Sequence, residues 1–401
     1  MKIIVAVHDL IVEKSHLMPW RTVCEVTKEL QIQNHEVLLL SLGSEKQDLH
    51  GNLIPKNTRE ICKSNSSLYD QLESLINDFD PDVIYWPVSW RESKSRTRMI
   101  CDFNIPIIAW FPGGVYSLSA VVHAINVMGV KKSIPYICEV FANKKKQIGF
   151  FKKSGIKAII TMTQTTKLAA IQSGWSNGKC FTILPGKDTQ AQLSPYHKEL
   201  DIHFASWLEG EPYFLFMGPP SGIRGIFELL SAFEVAVRKD KNIRLVCLFR
   251  SDATLDMSII KNKIEKLECK DRIFCTWSSL EKSDLFSFIA NSHAIAMPFI
   301  LVPSEVPLAI IEAMAFDKPI ITTSPGGTGD FVSQFGFSPK VGDIEGLATV
   351  IYDLANDEKL YATAILATKN IFNSHPTWPQ VGSEWLMVAE NFDRVVDDCE
   401  K

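Results

Sequence analysis

Residues 213–233 read YFLFMGPPSGIRGIFELLSAF. Tyr213 to Met217 is an unbroken apolar run, the composition of a strand buried on both faces. Gly218 stops the run, Pro219-Pro220-Ser221-Gly222 turns the chain, and after Arg224-Gly225 the apolar residues return at helical spacing. Strand, glycine turn and helix make one β-α unit, and the same alternation extends in both directions. Toward the C-terminus, strands are expected at Ile243–Phe249, Arg272–Thr276, Ala294–Met297 and Pro319–Thr323. Helices are expected between them, at Ile223–Arg238, Leu255–Leu267, Lys282–Ala290 and Ser304–Phe316. Toward the N-terminus, strands are expected at Lys2–Val7, His35–Leu40, Asp82–Trp86, Ile105–Phe111, Lys157–Met162 and Phe181–Leu184. Trp20–Leu30, Leu68–Asp78 and Thr163–Ser173 show helical spacing. This alternation predicts an α/β fold of parallel sheets covered by helices.

The pattern pauses at Pro185–Pro212, which holds three prolines and little periodicity. A linker is therefore expected at 186–211, between a first domain at 1–185 and a second at 212–375. A chain of 401 residues accommodates two such domains. Two doubly wound domains facing across a cleft bind ligands at the carboxyl ends of their strands.

Composition narrows the ligand. With 46% hydrophobic and 22% charged residues the chain is not wholly disordered. A net charge of −4 argues against a dedicated nucleic-acid binder, and no nucleic-acid partner is expected. The nine cysteines form no CxxC pair and read as reduced core residues of a cytoplasmic protein. The opening MKIIVAVHDLIVEKSH has too short an apolar run for a signal peptide, and no run approaches 18 apolar residues. A dinucleotide site is disfavoured because the first glycine is Gly43, so no glycine turn follows the first strand. Asp78-Phe-Asp-Pro-Asp82 reads as a solvated turn into a strand rather than a metal site.

Two stretches suit a nucleotide. The start of the helix after Gly218, with Arg224 beside it, suits a phosphate or diphosphate; the bland alternative is an ordinary turn with a solvated Arg. In 302–332, VPSEVPLAIIEAMAFDKPIITTSPGGTGDFV, Ser304 is placed to cap a helix carrying Glu305 and Glu312. Their seven-residue spacing puts them about 10.5 Å apart along one face. Glu312 interrupts an apolar run, so its carboxylate needs a partner, and the hydroxyls of a ribose would serve. An exposed helical stripe is the alternative.

From these residues outward, the C-terminal half resembles the donor domain of family 4 glycosyltransferases, which have the GT-B fold of two Rossmann-like domains. Gly218 through Gly225 is similar to the family's basic glycine loop. Glu312-Ala-Met-Ala, Lys318-Pro-Ile-Ile and Gly326-Gly327 are similar to its most specific signature, and Leu184-Pro-Gly-Lys-Asp188 to the segment entering the linker. Asn34-His-Glu-Val and Pro81-Asp-Val-Ile resemble strand entries of the acceptor domain. The resemblance implies transfer of a sugar from a nucleotide sugar to a glycan or lipid-linked acceptor, with retention of configuration and with no metal or other cofactor. It implies a donor site formed by Gly218, Ser221, Gly222, Arg224, Trp277, Ser304, Glu305, Val306, Leu308 and Glu312, in which Arg224 and Glu305 are catalytic. His8, Trp110, Gly113, Gly114 and His123 would form the acceptor side, and a terminal helix near 379–398 would pack back on the first domain.

Three positions depart from the family pattern: Pro219 replaces an Arg, Ser304 replaces the first of two paired Glu residues, and Pro112 falls where a His is usual. They favour the alternative of a degenerate GT-B protein that binds a nucleotide sugar or a partner without catalysis. A nucleotide-sugar epimerase is less favoured, since no clustered acid and His groups are found.

One cluster stands apart. Residues 131–157 hold eight lysines and one acid, Glu139, which gives +7 against −11 for the remainder. Phe141, Ile148, Phe150 and Phe151 interleave with the lysines, a combination suited to an anionic membrane surface. Peripheral association with the cytoplasmic face of a membrane is the resulting expectation; a solvated lysine-rich helix is the alternative.

Overall fold

The computed structural model describes residues 1–43, 49–62, 67–91, 94–188, 202–239, 242–250, 257–278, 280–302 and 304–392. Most of the expected linker (189–201), the start of the helix expected at 255 and the end of the terminal helix beyond 392 lie outside the described residues.

The first sheet contains β1 (Lys2–His8), β2 (Glu36–Gly43), β3 (Thr58–Cys62), β4 (Val83–Pro87), β5 (Ile107–Trp110), β6 (Ile156–Thr161) and β7 (Cys180–Thr182). Their order is β3-β2-β1-β4-β5-β6-β7, and every pair is parallel. Ile4 of the central β1 pairs with Leu38 on one side and Ile84 on the other. Strand alternation sends Ile3, Val5 and Val7 into one apolar cluster with Val23, Val26, Leu30, Val381 and Trp385. Ile4 and Ala6 join the opposite cluster with Leu72, Ile76 and Trp86. Burial on both faces explains why β1 reads as a continuous apolar run.

The second sheet contains β8 (Tyr213–Gly218), β9 (Arg244–Phe249), β10 (Ile273–Thr276), β11 (Ala294–Ala296) and β12 (Ile320–Ile321), in the order β10-β9-β8-β11-β12 and again all parallel. Phe214 and Phe216 pack on helix Ile226–Lys239 through Leu229, Leu230 and Phe233, while Leu215 and Met217 face the other layer with Ile289 and Ile310. The strand order reverses between β8 and β11, which opens a crevice at their carboxyl ends.

Helix Trp378–Asn391 crosses back to the first sheet. Thr377 and Gln380 form a capping box at its start. The Tyr85 hydroxyl donates to the Trp385 carbonyl, and the Trp385 ring lies 4.8 Å from Tyr85 and 6.0 Å from Trp110. The 185–187 segment is tied to this return crossing: Lys187 N–H donates to the Pro376 carbonyl at 2.9 Å, and its ammonium donates to Phe372 and Asn373 carbonyls.

Several elements differ from the sequence reading. Strand β3 escapes it because Arg59 and Glu60 give an edge strand with little apolar signal. The helical stretch Leu118–Val140 breaks at Gly129 (φ 79°), and Pro135 lies within it, so its periodicity is interrupted. Helices Lys144–Lys153, Ile344–Asn356 and Glu358–Ser374 complete the layers. The helix expected from Ser304 begins at Leu308 with Pro307 before it, so Ser304 caps nothing and Glu305 lies outside the helix. In the Asp78–Asp82 turn, Asp80 takes a left-handed conformation (φ 52°) at a helix end, and the Asp82 carboxylate accepts from Lys2 N–H at 2.7 Å. Among the described cysteines, Cys138 is exposed rather than part of a core.

Candidate functional site

A cavity of about 400 Å³ occupies the crevice of the second sheet. The carboxyl ends of β8 and β9 line it, with the loops after β10 and β11 and residues 16–20 of the first domain. Trp20, Met217, Leu248, Leu280 and Leu285 supply apolar walls; Arg224, Arg250, His16 and Glu312 supply the ionisable groups. A wider hollow of about 540 Å³ near the return crossing, lined by Thr182, Leu184, Gln380 and Glu384 among others, has no basic side chain in its wall.

Arg224 reaches this cavity from a 3-10 turn, Gly222–Arg224, that precedes the helix beginning at Ile226. Arg224 N–H donates to Ser221 and Gly225 N–H to Gly222, both at 2.9 Å, so two backbone donors of the loop are satisfied internally. Positive charge for an anion therefore comes from side chains more than from open amides at these positions. Gly218 has φ 127°, and a Cβ there would stand 2.8 Å from the Arg224 guanidinium. Gly225 has φ 78°, and a Cβ would collide with the Pro298 carbonyl. Both glycines are required by the geometry. The Arg224 guanidinium lies 5.7 Å from the Phe299 ring centre and makes no ion pair among the described residues. Burial, then the neighbouring Arg250, lowers its pKa to about 10.

Glu312 lines the opposite part of the cavity from helix Leu308–Met314, whose Ile310, Ile311, Ala313 and Met314 are buried. Its side chain is half-buried and has no hydrogen bond or ion pair among the described residues. Burial is the main influence on its pKa, raised to about 7; Lys282 and Arg21 oppose the rise and Asp188 adds to it. Leu308 and Gly218 also line the cavity, and Ser304 does so while its hydroxyl donates to the Met162 sulfur at 3.2 Å.

Glu305 is elsewhere. Its two carboxylate oxygens accept from Thr163 and Thr166 of the first domain at 2.7 and 2.8 Å, and it also accepts from the backbone at Val115 and Gly327. Burial raises its pKa, and these hydrogen bonds oppose the rise. A carboxylate so fully used holds two domains together; it does not face the cavity. Tyr116 O–H donating to Val302 O at 2.7 Å and Ser117 N–H donating to Pro325 O at 3.3 Å continue the same seam.

The remaining candidates separate from the cavity for stated reasons. Trp277 packs tilted against Phe249 at 4.8 Å and under Lys261 at 4.7 Å, leaving Ser278 to line the wall. Val306 is fully buried in the core. A Cβ on Gly222 would collide with Val127, which places the Ser221-Gly222 turn against the first domain. Trp110 is a core residue whose indole donates to Ala6 O at 3.1 Å. Gly113 is half-buried beside Gly114, whose hydrogen faces Glu305 too closely for any side chain. His8 is turned toward Leu42 and Arg96, with burial as the main cause lowering its pKa, and His123 packs on Gly342. Sequence reasoning missed Arg250 and His16. The available signal was an Arg directly after a fully buried strand, at the end where ligands bind.

Residues 198–370 match the family model for glycosyl transferases group 1. The chain is 26% identical over 233 residues to the capsular polysaccharide biosynthesis glycosyltransferase CapM of Staphylococcus aureus, covering 55% of this chain and 56% of CapM, so it spans about half the length of that curated relative. Its fold is similar to Anabaena HepE in complex with UDP (TM-score 0.70, 14% identity, 98% and 100% of the two chains). It is also similar to the sucrose-phosphate synthase of Thermosynechococcus elongatus (TM-score 0.67, 12% identity, 98% and 99%). Residues 198–370 thus carry a glycosyl transferases group 1 domain, within a chain of two Rossmann-like domains with the GT-B fold.

Proposed function

We propose that this chain is a retaining glycosyltransferase of the family 4 type, transferring a sugar from a nucleotide sugar to a glycan or lipid-linked acceptor without a metal. The observation that carries the reading is Glu312, a half-buried carboxylate without a partner among the described residues, in one cavity with Arg224. A ribose offers hydroxyl donors to the carboxylate, and a diphosphate offers oxygens to the guanidinium. The UDP held by the structurally similar HepE and the capsular polysaccharide role named for CapM support the same substrate class.

In the reaction, the bond from the sugar's anomeric carbon to the diphosphate breaks with its electron pair on the diphosphate. The acceptor hydroxyl oxygen bonds that carbon, and its proton leaves to the departing diphosphate. Arg224 stabilises the charge that develops. Glu312 is the one carboxylate among the described residues lining the cavity, so the reading assigns no protein nucleophile.

The acceptor belongs to a membrane surface in this reading. Leu118, Val122, Val130, Ile134 and Phe141 are exposed along and just after the broken helix, and Lys131, Lys132, Lys145 and Lys146 of the same stretch of chain are exposed as well. Apolar insertion beside positive charge suits an anionic bilayer. The membrane residues differ from those first expected: Phe151 and Ile148 are buried, and Phe150 is half-buried against the core. No helix among the described residues is long and apolar enough to cross a membrane. The reading places the protein in a reducing, cytoplasmic setting, from the scattered cysteines of the sequence.

Incubation with a panel of nucleotide sugars tests the reading. Release of nucleoside diphosphate, stimulated by lipid-linked or glycan acceptors and insensitive to EDTA, is expected, with the product's anomeric configuration matching the donor's. Tight nucleotide-sugar binding without any release or transfer would favour the rival, a non-catalytic binding protein, to which Pro219 and the diverted Glu305 lend weight.

A further inference from the structure

Resting on that reading of the cavity, we propose that Arg250 is a second ligand of the donor's diphosphate, held in position by His16 from the opposite domain. Arg250 follows β9 directly, and Gly218 pairs with Phe249, so Arg250 leaves the sheet beside the loop that carries Arg224. Its N–H donates to the Gly218 carbonyl at 3.1 Å, which fixes the root of the side chain at the cavity wall. Both guanidiniums line the same cavity, and no carboxylate pairs with either among the described residues. Two unpaired cations near one another repel, and an anion carrying two or more charges between them relieves that repulsion. A diphosphate is such an anion, whereas an uncharged sugar or a nucleoside is not. Pro219, the loop residue next to Gly218, brings neither charge nor N–H, so Arg250 supplies from the neighbouring strand what the loop lacks.

His16 explains how a flexible side chain is held. Its Nε2 accepts from Arg250 Nη1 at 3.1 Å, a contact that spans the cleft from the loop after β1. A guanidinium has five N–H donors in a planar fork, so one bond to His16 leaves others for phosphate oxygens. The ring accepts only when neutral, and burial, then Arg250 and Arg21, keep its pKa below the ordinary value. His16 is therefore a positioning residue, acting on the phosphate through Arg250.

Calorimetry on the full chain with UDP, GDP, ADP, the matching nucleosides and inorganic pyrophosphate tests this. Arg250→Ala should weaken the preferred nucleoside diphosphate and pyrophosphate at least tenfold while leaving nucleoside affinity unchanged, with Arg250→Lys intermediate. Undiminished diphosphate affinity in Arg250→Ala, with its fold verified by circular dichroism, overturns the proposal; so does an equal loss for nucleoside and diphosphate in both Arg250 variants. His16→Ala should weaken diphosphate binding about threefold and His16→Gln, which keeps an acceptor, should restore it; identical behaviour of the two removes His16. If the wild type binds pyrophosphate through Arg250 but no nucleoside diphosphate, the anion site stands and the nucleotide-sugar reading falls. If it binds neither, both fall.

Discussion

A carboxylate set in the wall of a largely apolar cavity is costly in its ionised form unless a donor reaches it. Glu312 is in that position, and its pKa near 7 expresses the cost. The sign of the pH effect follows. Below the unfolded value near 4.5 the carboxyl is protonated in both states and costs nothing. As pH rises toward 7 the unfolded chain ionises first, so native stability falls, by up to about 3 kcal/mol once both states are ionised. Glu312→Gln should therefore be more stable than the wild type at pH 8 and equal to it near pH 4.5, as read by denaturant titration at the two pH values. A constant difference would remove the burial argument. The same substitution should weaken nucleoside diphosphate binding at pH 8 by roughly 1.5–3 kcal/mol, because a hydroxyl loses a charged acceptor. Calorimetry in buffers of differing ionisation enthalpy should also show proton release on wild-type binding near pH 7, absent in the Gln variant. Unchanged affinity would end the ribose assignment.

At the scale of elements, the strands other than the edge strand β3 were legible, because most of them are buried on both faces and leave continuous apolar runs. What periodicity could not place was the segment between β11 and helix Leu308–Met314. Ser304, followed by Glu305, offers the signature of a helix start, yet the helix begins only at Leu308, with Pro307 in the cap position. That shift is tertiary in origin: Glu305 is drawn to Thr163 and Thr166, 142 and 139 residues away, and no local pattern encodes such a bond. Arg250 was hidden for a related reason, since its value comes from lying beside Gly218 on the next strand. The Glu305 seam has a measurable consequence. Glu305→Ala leaves two buried hydroxyls and two backbone donors without their acceptor, and should destabilise the protein by about 2–4 kcal/mol in urea titration. Glu305→Gln retains one acceptor oxygen and should cost less. Equal stability of Ala variant and wild type would show that the seam is not a structural tie.

For the whole molecule, the lysine-rich stretch 131–157 of the first domain also carries exposed apolar side chains, Ile134 and Phe141 among them. The lysines of 131–157 could be counted in the sequence, but which apolar residues accompany them depended on helix orientation. Phe151 is buried and Phe150 half-buried against the core, whereas Phe141 is 70% exposed and Val130 61%. The membrane argument therefore transfers to Val130, Ile134 and Phe141, beyond the break at Gly129. Vesicles containing anionic lipid should co-sediment with the protein, and binding should weaken as salt is added, since exposed charges are screened within about 8 Å at physiological ionic strength. Each lysine near the surface contributes about 1 kcal/mol, so reversing Lys144, Lys145 and Lys146 to Glu should abolish detectable binding at low salt. Ile134→Ser with Phe141→Ser should lower binding even at low salt, because those side chains supply insertion rather than attraction. Phe150→Ser with Phe151→Ser should instead act on stability, through lost core packing, a distinction that thermal melting without vesicles reads directly. Vesicle binding by the lysine-reversed protein equal to the parent's, or none by either, would assign this stretch to solvent and the acceptor to a soluble glycan.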